Sequence, residues 1–111
     1  MKWYKEIYLG NVSKKKIKKI KFRLKHNVLL PSIYIITLSL SETEQLDIIP
    51  AKELLQKAYP KKELCIVGIA KNQEDSFCLI QRIVEDVFQK DKTVNIRKFF
   101  RANEDKLWFS L

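Results

Sequence analysis

Two short apolar runs, residues 33–40 and 64–70, limit what this chain can fold into more than any other feature of its sequence. Both runs are rich in β-branched residues, and the first begins with apolar residues at consecutive positions. That pattern is typical of a strand covered on both faces of a sheet. Residues 93–100 predict a third strand, with Val94 and Ile96 on one face. We therefore expect three strands from residue 33 onward.

The segments that separate these strands carry helix signals. Pro50 suits the first turn of a helix over residues 50–58, because its missing N–H needs no partner there. Residues 73–89 predict the longest helix, and a further short helix is predicted over residues 3–8. The apolar stripe of the longest helix consists of Phe77, Ile80, Val84 and Val87. Strands joined through helices run parallel, so we expect an α/β fold: a small open, mostly parallel sheet of three to four strands with flanking helices.

The chain is short and contains few residues that form linkers. Its 111 residues, with 2 glycines and 3 prolines, predict a single domain over residues 1–111. Its start lacks an apolar targeting run, and the longest uncharged stretch, residues 27–41, is shorter than the ~20 apolar residues that a membrane-spanning helix needs. We therefore expect a cytoplasmic protein without a membrane span, in which Cys65 and Cys78 are buried free thiols.

Positive charge is concentrated in one N-terminal element, residues 13–27. The chain has 22 basic and 13 acidic side chains, a net charge of +9, and no carboxylate lies between Glu6 and Glu42. The basic residues of the element are Lys14, Lys15, Lys16, Lys18, Lys19, Lys21, Arg23 and Lys25. Because this charge is local, it would attract an anionic partner to one part of the surface. The alternative is a solvated face that keeps the protein soluble.

The element at 13–27 fits two kinds of secondary structure. As a helix, it has Ile17, Ile20 and Leu24 on one face; as a strand, it alternates apolar and basic residues. We favour the helix because its apolar stripe extends further and Ser13 can cap it. The lysines at the positive end of the helix dipole are an argument for the strand.

The basic element predicts a nucleic-acid interface. On a helical wheel Phe22 projects among the lysines, where its ring would stack on an unpaired base, a contact worth roughly 1–3 kcal/mol. The predicted contact residues are Lys14, Lys15, Lys16, Lys18, Lys19, Phe22, Arg23 and Lys25. Lysines position a protein on phosphates rather than reading bases, so we expect little sequence preference.

A second candidate site follows from the predicted sheet. In open parallel sheets, ligands bind beyond the carboxyl ends of the strands, near the first turns of the helices. The residues expected in this crevice are Ser39, Ser41, Gly68, Lys71 and Asn72. The glycines match neither a dinucleotide-binding motif nor a phosphate loop. An alternative role for Gly68 is to allow close packing of a helix.

The sequence does not indicate an enzyme. His26 is its only histidine, so we expect no metal site, and no motif points to a cofactor. The favoured function is a small binding or accessory protein that contacts nucleic acid or another polyanion. One alternative is a small-ligand-binding or catalytic domain that uses the crevice. Another is a structural subunit, with a protein partner or a second copy covering the aromatic residues Trp3, Tyr4, Trp108 and Phe109.

Four segments together resemble a group of small, uncharacterised bacterial α/β proteins with no assigned activity. These segments are the lysine run and residues 2–5, 34–38 and 67–70, which have the sequences Lys-Trp-Tyr-Lys, Tyr-Ile-Ile-Thr-Leu and Val-Gly-Ile-Ala. The resemblance implies an α/β fold in a bacterial cytoplasm, and no functional residue follows from it.

Overall fold

Strands from both halves of the chain form one mixed sheet in the computed structural model, which describes residues 1–30, 32–41, 44–56, 59–92, 94–102 and 108–110. The strands are β1 (Lys2–Leu9), β2 (Tyr34–Leu38), β3 (Leu46–Pro50), β4 (Cys65–Ala70) and β5 (Trp108–Ser110). The helices are α1 (Ile17–Lys25), α2 (Gln73–Asp91) and α3 (Ile96–Ala102). Short 3₁₀ turns occur at Lys14–Lys16, Ala51–Leu55 and Lys61–Glu63.

The sheet is mixed, and the prediction of a mostly parallel sheet is wrong. Its strand order is β3-β2-β4-β1-β5, with β1 parallel to β4 and with β2 antiparallel to both β3 and β4. The direction of β2 follows from β3, a strand that the sequence pattern did not predict. Because β3 returns directly beside β2 as a hairpin, no helical crossover separates them, and an antiparallel pair results.

Several predicted elements are confirmed and others are corrected. The strands predicted at 33–40 and 64–70, the helix at 73–89 and the helical form of 13–27 all match observed elements. The predicted helix over 3–8 is instead strand β1. The helix over 50–58 is limited to the 3₁₀ turn Ala51–Leu55 among the described residues; residues 57 and 58 lie outside them. The predicted strand at 93–100 is wrong because Ile96–Ala102 is helical, and Thr93 lies outside the described residues.

Both faces of the sheet are covered. Helix α1 and the turn Ala51–Leu55 cover the first face, and α2 and α3 cover the second. The first core consists of Trp3, Ile20, Leu24, Ile33, Ile35, Ile49, Ala51, Leu54, Leu64, Ile66 and Ile69. The second consists of Tyr4, Ile36, Leu38, Val67, Ala70, Leu79, Ile83, Val87, Ile96 and Phe100. Trp3 and Tyr4 are therefore buried on opposite faces, which corrects their predicted place in an interface; the side chains of Trp108 and Phe109 are outside the described part.

Helix α2 turns a different face to the core from the one predicted. Its buried residues are Ser76, Leu79, Ile83 and Val87, whereas Phe77 is 56% exposed and Val84 is 36% exposed. The helix has two apolar stripes one residue apart, and the periodicity is equally good for both. Of the predicted stripe only Val87 is fully buried. The thiol of Cys78 is likewise exposed and that of Cys65 half-buried, which corrects the prediction of two buried thiols.

Candidate anion-binding site

The basic element is a 3₁₀ turn followed by α1, and both of its ends are capped. The Ser13 hydroxyl oxygen accepts a hydrogen bond from the Lys15 amide at 3.3 Å, as the sequence predicts. At the other end, the Lys61 ammonium donates to the Leu24 carbonyl at 2.8 Å and also to the side chain of Asn27, whose φ of 55° is left-handed. A cation at a helix C-terminus complements the dipole, so Lys61 stabilises the element.

The basic residues of helix α1 lie on different sides of the helix. Ile20 and Leu24 are buried, and the Lys21 ammonium lies 5.1 Å from the centre of the Trp3 ring, where burial lowers the lysine pKa. Successive residues of a helix turn by about 100°, so the remaining cations divide between two surfaces. We call Lys15, Lys18, Phe22, Lys25 and His26, all of them exposed, the outer face.

The outer face includes an exposed aromatic ring. Phe22 is 61% exposed, and its ring centre lies 4.4 Å from that of His26. Both rings are exposed to solvent. The prediction that Phe22 projects away from the apolar stripe of the helix is confirmed.

The side of α1 next to the outer face borders a cleft of about 430 Å³. We call it the basic cleft, because four cationic side chains line it: Lys16, Lys19, Arg23 and Lys71. Its polar lining also includes Asn11, Ser13 and Ser32. Lys19 and Arg23 come from one side of α1 and Lys16 from the turn before it, and Lys71 lines the cleft from the end of β4.

The parallel pairing of β1 with β4 builds this cleft. Because the two strands run in the same direction, the residues that follow them, Asn11 and Lys71, lie beyond the same end of the two strands. The Asp75 carboxylate accepts hydrogen bonds from the amide of Asn11 at 2.7 Å and from that of Lys71 at 2.8 Å. Asp75 thus fastens the two loops to the start of α2.

The residues predicted for the strand-end crevice do not come together. Lys71 lines the basic cleft, but the Asn72 side chain caps α2 by accepting the Asp75 amide at 2.8 Å. Gly68 lies inside the sheet, where a Cβ would come within 3.2 Å of Leu79 Cδ2, so its role is close packing.

Ser39 and Ser41 follow the end of β2, which lies beside the start of β4 because the two strands are antiparallel. They are therefore far from Lys71, which follows the end of β4. There the Arg97 guanidinium donates to the carbonyl of Ser39 at 3.0 Å and to that of Ser41. These contacts fasten the loop after β2 to α3. The sequence pattern did not indicate Asn11, Ser13 and Ser32 as cleft residues, because the cleft depends on the parallel pairing of β1 with β4. The aromatic residues of β1 were a signal for a strand.

The charges of the basic cleft are not neutralised within the described ranges. No carboxylate lines the cleft there, and Lys16, Lys19 and Lys71 form no ion pair with a described residue. The Arg23 guanidinium donates to the Leu29 carbonyl at 3.2 Å, a neutral acceptor that holds the group in place. Converging cations without a counter-charge produce a local positive potential that favours an anion.

A separate polar cluster connects β1 with α2. The Tyr8 hydroxyl donates to the Asp86 carboxylate, and the Lys90 ammonium lies 3.2 Å from the same carboxylate. Burial and this hydrogen bond raise the pKa of Tyr8 well above its usual value, whereas the Tyr8 and Lys90 contacts lower the pKa of Asp86. All three groups have partners within the cluster, which indicates a structural role.

Other kinds of site find no support in the described segments. No group of three histidine, cysteine or acidic side chains there has the spacing to hold a metal ion. None of their helices combines the length and the apolar character that a membrane crossing requires. Comparison with protein-family models, with curated proteins and with solved structures gives no match.

Proposed function

We propose that the protein binds single-stranded nucleic acid through the outer face of α1. The observation that carries this proposal is the position of Phe22, whose exposed ring lies among lysines instead of in either core. Beside cations, an exposed aromatic ring provides a stacking platform for an unpaired base. The lysines would contact the phosphates on either side of that base.

The residue types on the outer face favour an unpaired strand over a duplex. The bases of a duplex are already stacked on each other, so the Phe22 ring cannot stack on the face of a base there. The outer face also lacks arginine, the side chain that makes the bidentate contact to guanine in the major groove. We therefore propose affinity for single strands with weak sequence preference.

The test is a salt titration of binding to a labelled, single-stranded oligonucleotide. Each phosphate contact contributes a slope of ~0.7 in the plot of log affinity against log salt concentration. The triple variant Lys15→Ala, Lys18→Ala, Lys25→Ala is expected to reduce the slope by about two units. Phe22→Ala is expected to weaken binding with an unchanged slope, because stacking releases few counterions.

The matched control removes the same charge elsewhere. Lys5, Lys52 and Lys62 are exposed and lie outside α1, so their replacement by alanine is expected to leave most of the slope intact. If this control reduces the slope as much as the α1 variant, binding reflects net charge and the assigned face is wrong. Absence of binding at low salt contradicts the proposal altogether.

A further inference from the structure

We propose that the basic cleft binds a terminal phosphate monoester, and that its source is the phosphorylated end of the strand held on the outer face. The inference rests on the proposed function and names the part of the nucleic acid that the site recognises. It joins two predicted sites, the lysine element and the strand-end crevice, at the place where Lys71 faces α1.

The charge of the cleft fits a monoester better than an internal phosphate. A phosphate monoester carries about −1.5 to −2 charges at pH 7, because its second pKa is about 6. An internal phosphodiester carries one negative charge. The cations Lys16, Lys19, Arg23 and Lys71 converge on one cleft, and a single negative charge would leave most of them unneutralised. The doubly charged end of a strand neutralises more of them.

The shape of the cleft fits a whole nucleotide. Its volume of about 430 Å³ falls in the range of about 300–1,000 Å³ that is typical of small-molecule sites. Its apolar lining consists of Val12, Ile20, Leu30 and Ile33, of which Ile20 and Ile33 belong to the first core. This lining provides a surface for the sugar and base, while the cations and the hydroxyl groups of Ser13 and Ser32 face the phosphate.

The walls of the cleft are held in place before any ligand binds. Asp75 fastens the loop that carries Lys71, and the Leu29 carbonyl orients the Arg23 guanidinium. The Asp75 carboxylate is a nearby acid and keeps its negative charge, but it does not line the cleft, and the four cations outnumber it. Groups fixed in advance lose less conformational entropy on binding, which strengthens recognition.

The cleft and the outer face are continuous along α1. Lys19 lines the cleft, and Phe22, three residues later, lies on the outer face. Side chains three apart on a helix are neighbours. A strand whose terminal phosphate lies in the cleft therefore reaches Phe22 with its next bases, so one ligand contacts both surfaces.

The experiment compares oligonucleotides of one sequence that differ only at their ends: a 5′-phosphate, a 3′-phosphate or two hydroxyl ends. We expect the wild-type protein to bind one of the phosphorylated strands about tenfold more tightly than the hydroxyl strand, the size expected for charge-assisted contacts. The cleft variant Lys16→Ala, Lys19→Ala, Lys71→Ala is expected to reduce this ratio to about one.

The matched control is the outer-face variant Lys15→Ala, Lys18→Ala, Lys25→Ala, which loses the same number of charges from exposed positions. It is expected to bind every strand more weakly and to retain the preference for the phosphorylated end. Equal loss of the preference in both variants overturns the assignment to the cleft. Equal affinity of the wild-type protein for all three strands overturns the inference but leaves the proposed function intact.

A second probe separates the two possible sources of the phosphate. If no strand binds, the proposed function fails. In that case a nucleoside 5′-monophosphate is titrated into the isotopically labelled protein, and the backbone amide signals are followed by NMR. Shifts of the Asn11, Ser13 and Lys71 amide signals, lost in the cleft variant, would assign the phosphate site to a free nucleotide. No shift at those amides overturns the phosphate site itself.

Discussion

At the scale of single residues, the hydrogen bond from Tyr8 to Asp86 has the clearest energetic consequence. It connects the second face of the sheet with α2, and the Lys90 ammonium supports the same carboxylate. These contacts favour the ionised form of Asp86, which lowers its pKa below the usual value near 4. The native state therefore holds this carboxyl proton less tightly than the unfolded chain does.

The first prediction concerns the dependence of stability on pH. Because the pKa of Asp86 is lowered in the folded protein, its contribution is fully present above about pH 5, and it is lost as the pH falls through the native pKa. Asp86→Asn is expected to lower the free energy of unfolding at pH 7 and to flatten its decline below pH 4. Urea denaturation between pH 2 and pH 7 measures both effects.

The control for this prediction is Asp91→Asn, an exposed acid at the last residue of α2. Because its side chain is exposed, it is expected to change the free energy of unfolding at pH 7 by less than about 0.5 kcal/mol. If Asp86→Asn gives the same curve as Asp91→Asn, Asp86 does not interact more strongly with the folded protein than an ordinary surface carboxylate.

At the scale of elements, the sequence pattern predicts where α2 begins but not which of its faces is buried. Its start is marked by Glu74 and Asp75 in the first turn, a signal that predicts the helix, whereas the structure shows that Asn72 is its cap. Its core face depends on which of two apolar stripes meets the sheet. The stripe containing Leu79 fits beside Gly68, where the sheet has no side chain, and only the tertiary structure reveals that fit.

The second prediction compares two valines on this helix. Val87→Ala is expected to lower the free energy of unfolding by about 1–3 kcal/mol, since it removes buried methyl groups and leaves a cavity. Val84→Ala, the matched exchange on the exposed stripe, is expected to change it by less than about 0.5 kcal/mol. Chemical denaturation of both variants measures the difference; a larger loss at Val84 would show that the other stripe faces the core.

Other elements escaped prediction for specific reasons. Strand β1 buries Trp3 and Tyr4 on opposite faces, so it lacks the alternation that marks a half-buried strand. Helix α3 was mistaken for a strand because Val94 and Ile96 alternate, although Ile96 and Phe100 also fit a helical spacing and are the buried pair. The basic outer face was predictable, because lysines rarely face a core. The cleft was not, since it depends on the direction of β1.

At the scale of the whole molecule, the sheet order places β4 and β1 in the interior and β3 at an edge. The amide of Lys2 donates to the Leu64 carbonyl at 2.8 Å, and that of Gly10 donates to the Ile69 carbonyl at 3.0 Å. These bonds join β1 to β4 at both ends. The middle of β1 departs from regular pairing, because Trp3 is opposite Ile66 whereas Tyr8 is opposite Gly68.

The third prediction concerns the order in which backbone amides exchange with deuterium. Central strands open only when most of the protein unfolds, whereas edge strands open locally. We expect amides of β4 and those that join β1 to it to exchange most slowly, and amides of β3 to exchange faster. Hydrogen exchange followed by NMR tests this order. Equally fast exchange of the Gly10 and β3 amides would contradict the interior position of β1.

The position of β1 also determines the order in which the chain can assemble. β1 and β4 are neighbours in the sheet, yet α1, β2 and β3 lie between them along the chain. The hairpin of β2 and β3 and the helices need only local contacts, so they can form early. β1 has no strand beside it until β4 is present, and closing such a distant pair slows folding. On a ribosome, Trp3 and Tyr4 therefore lack their neighbours on β4 until that strand has emerged, and β1 stays incompletely packed during that time.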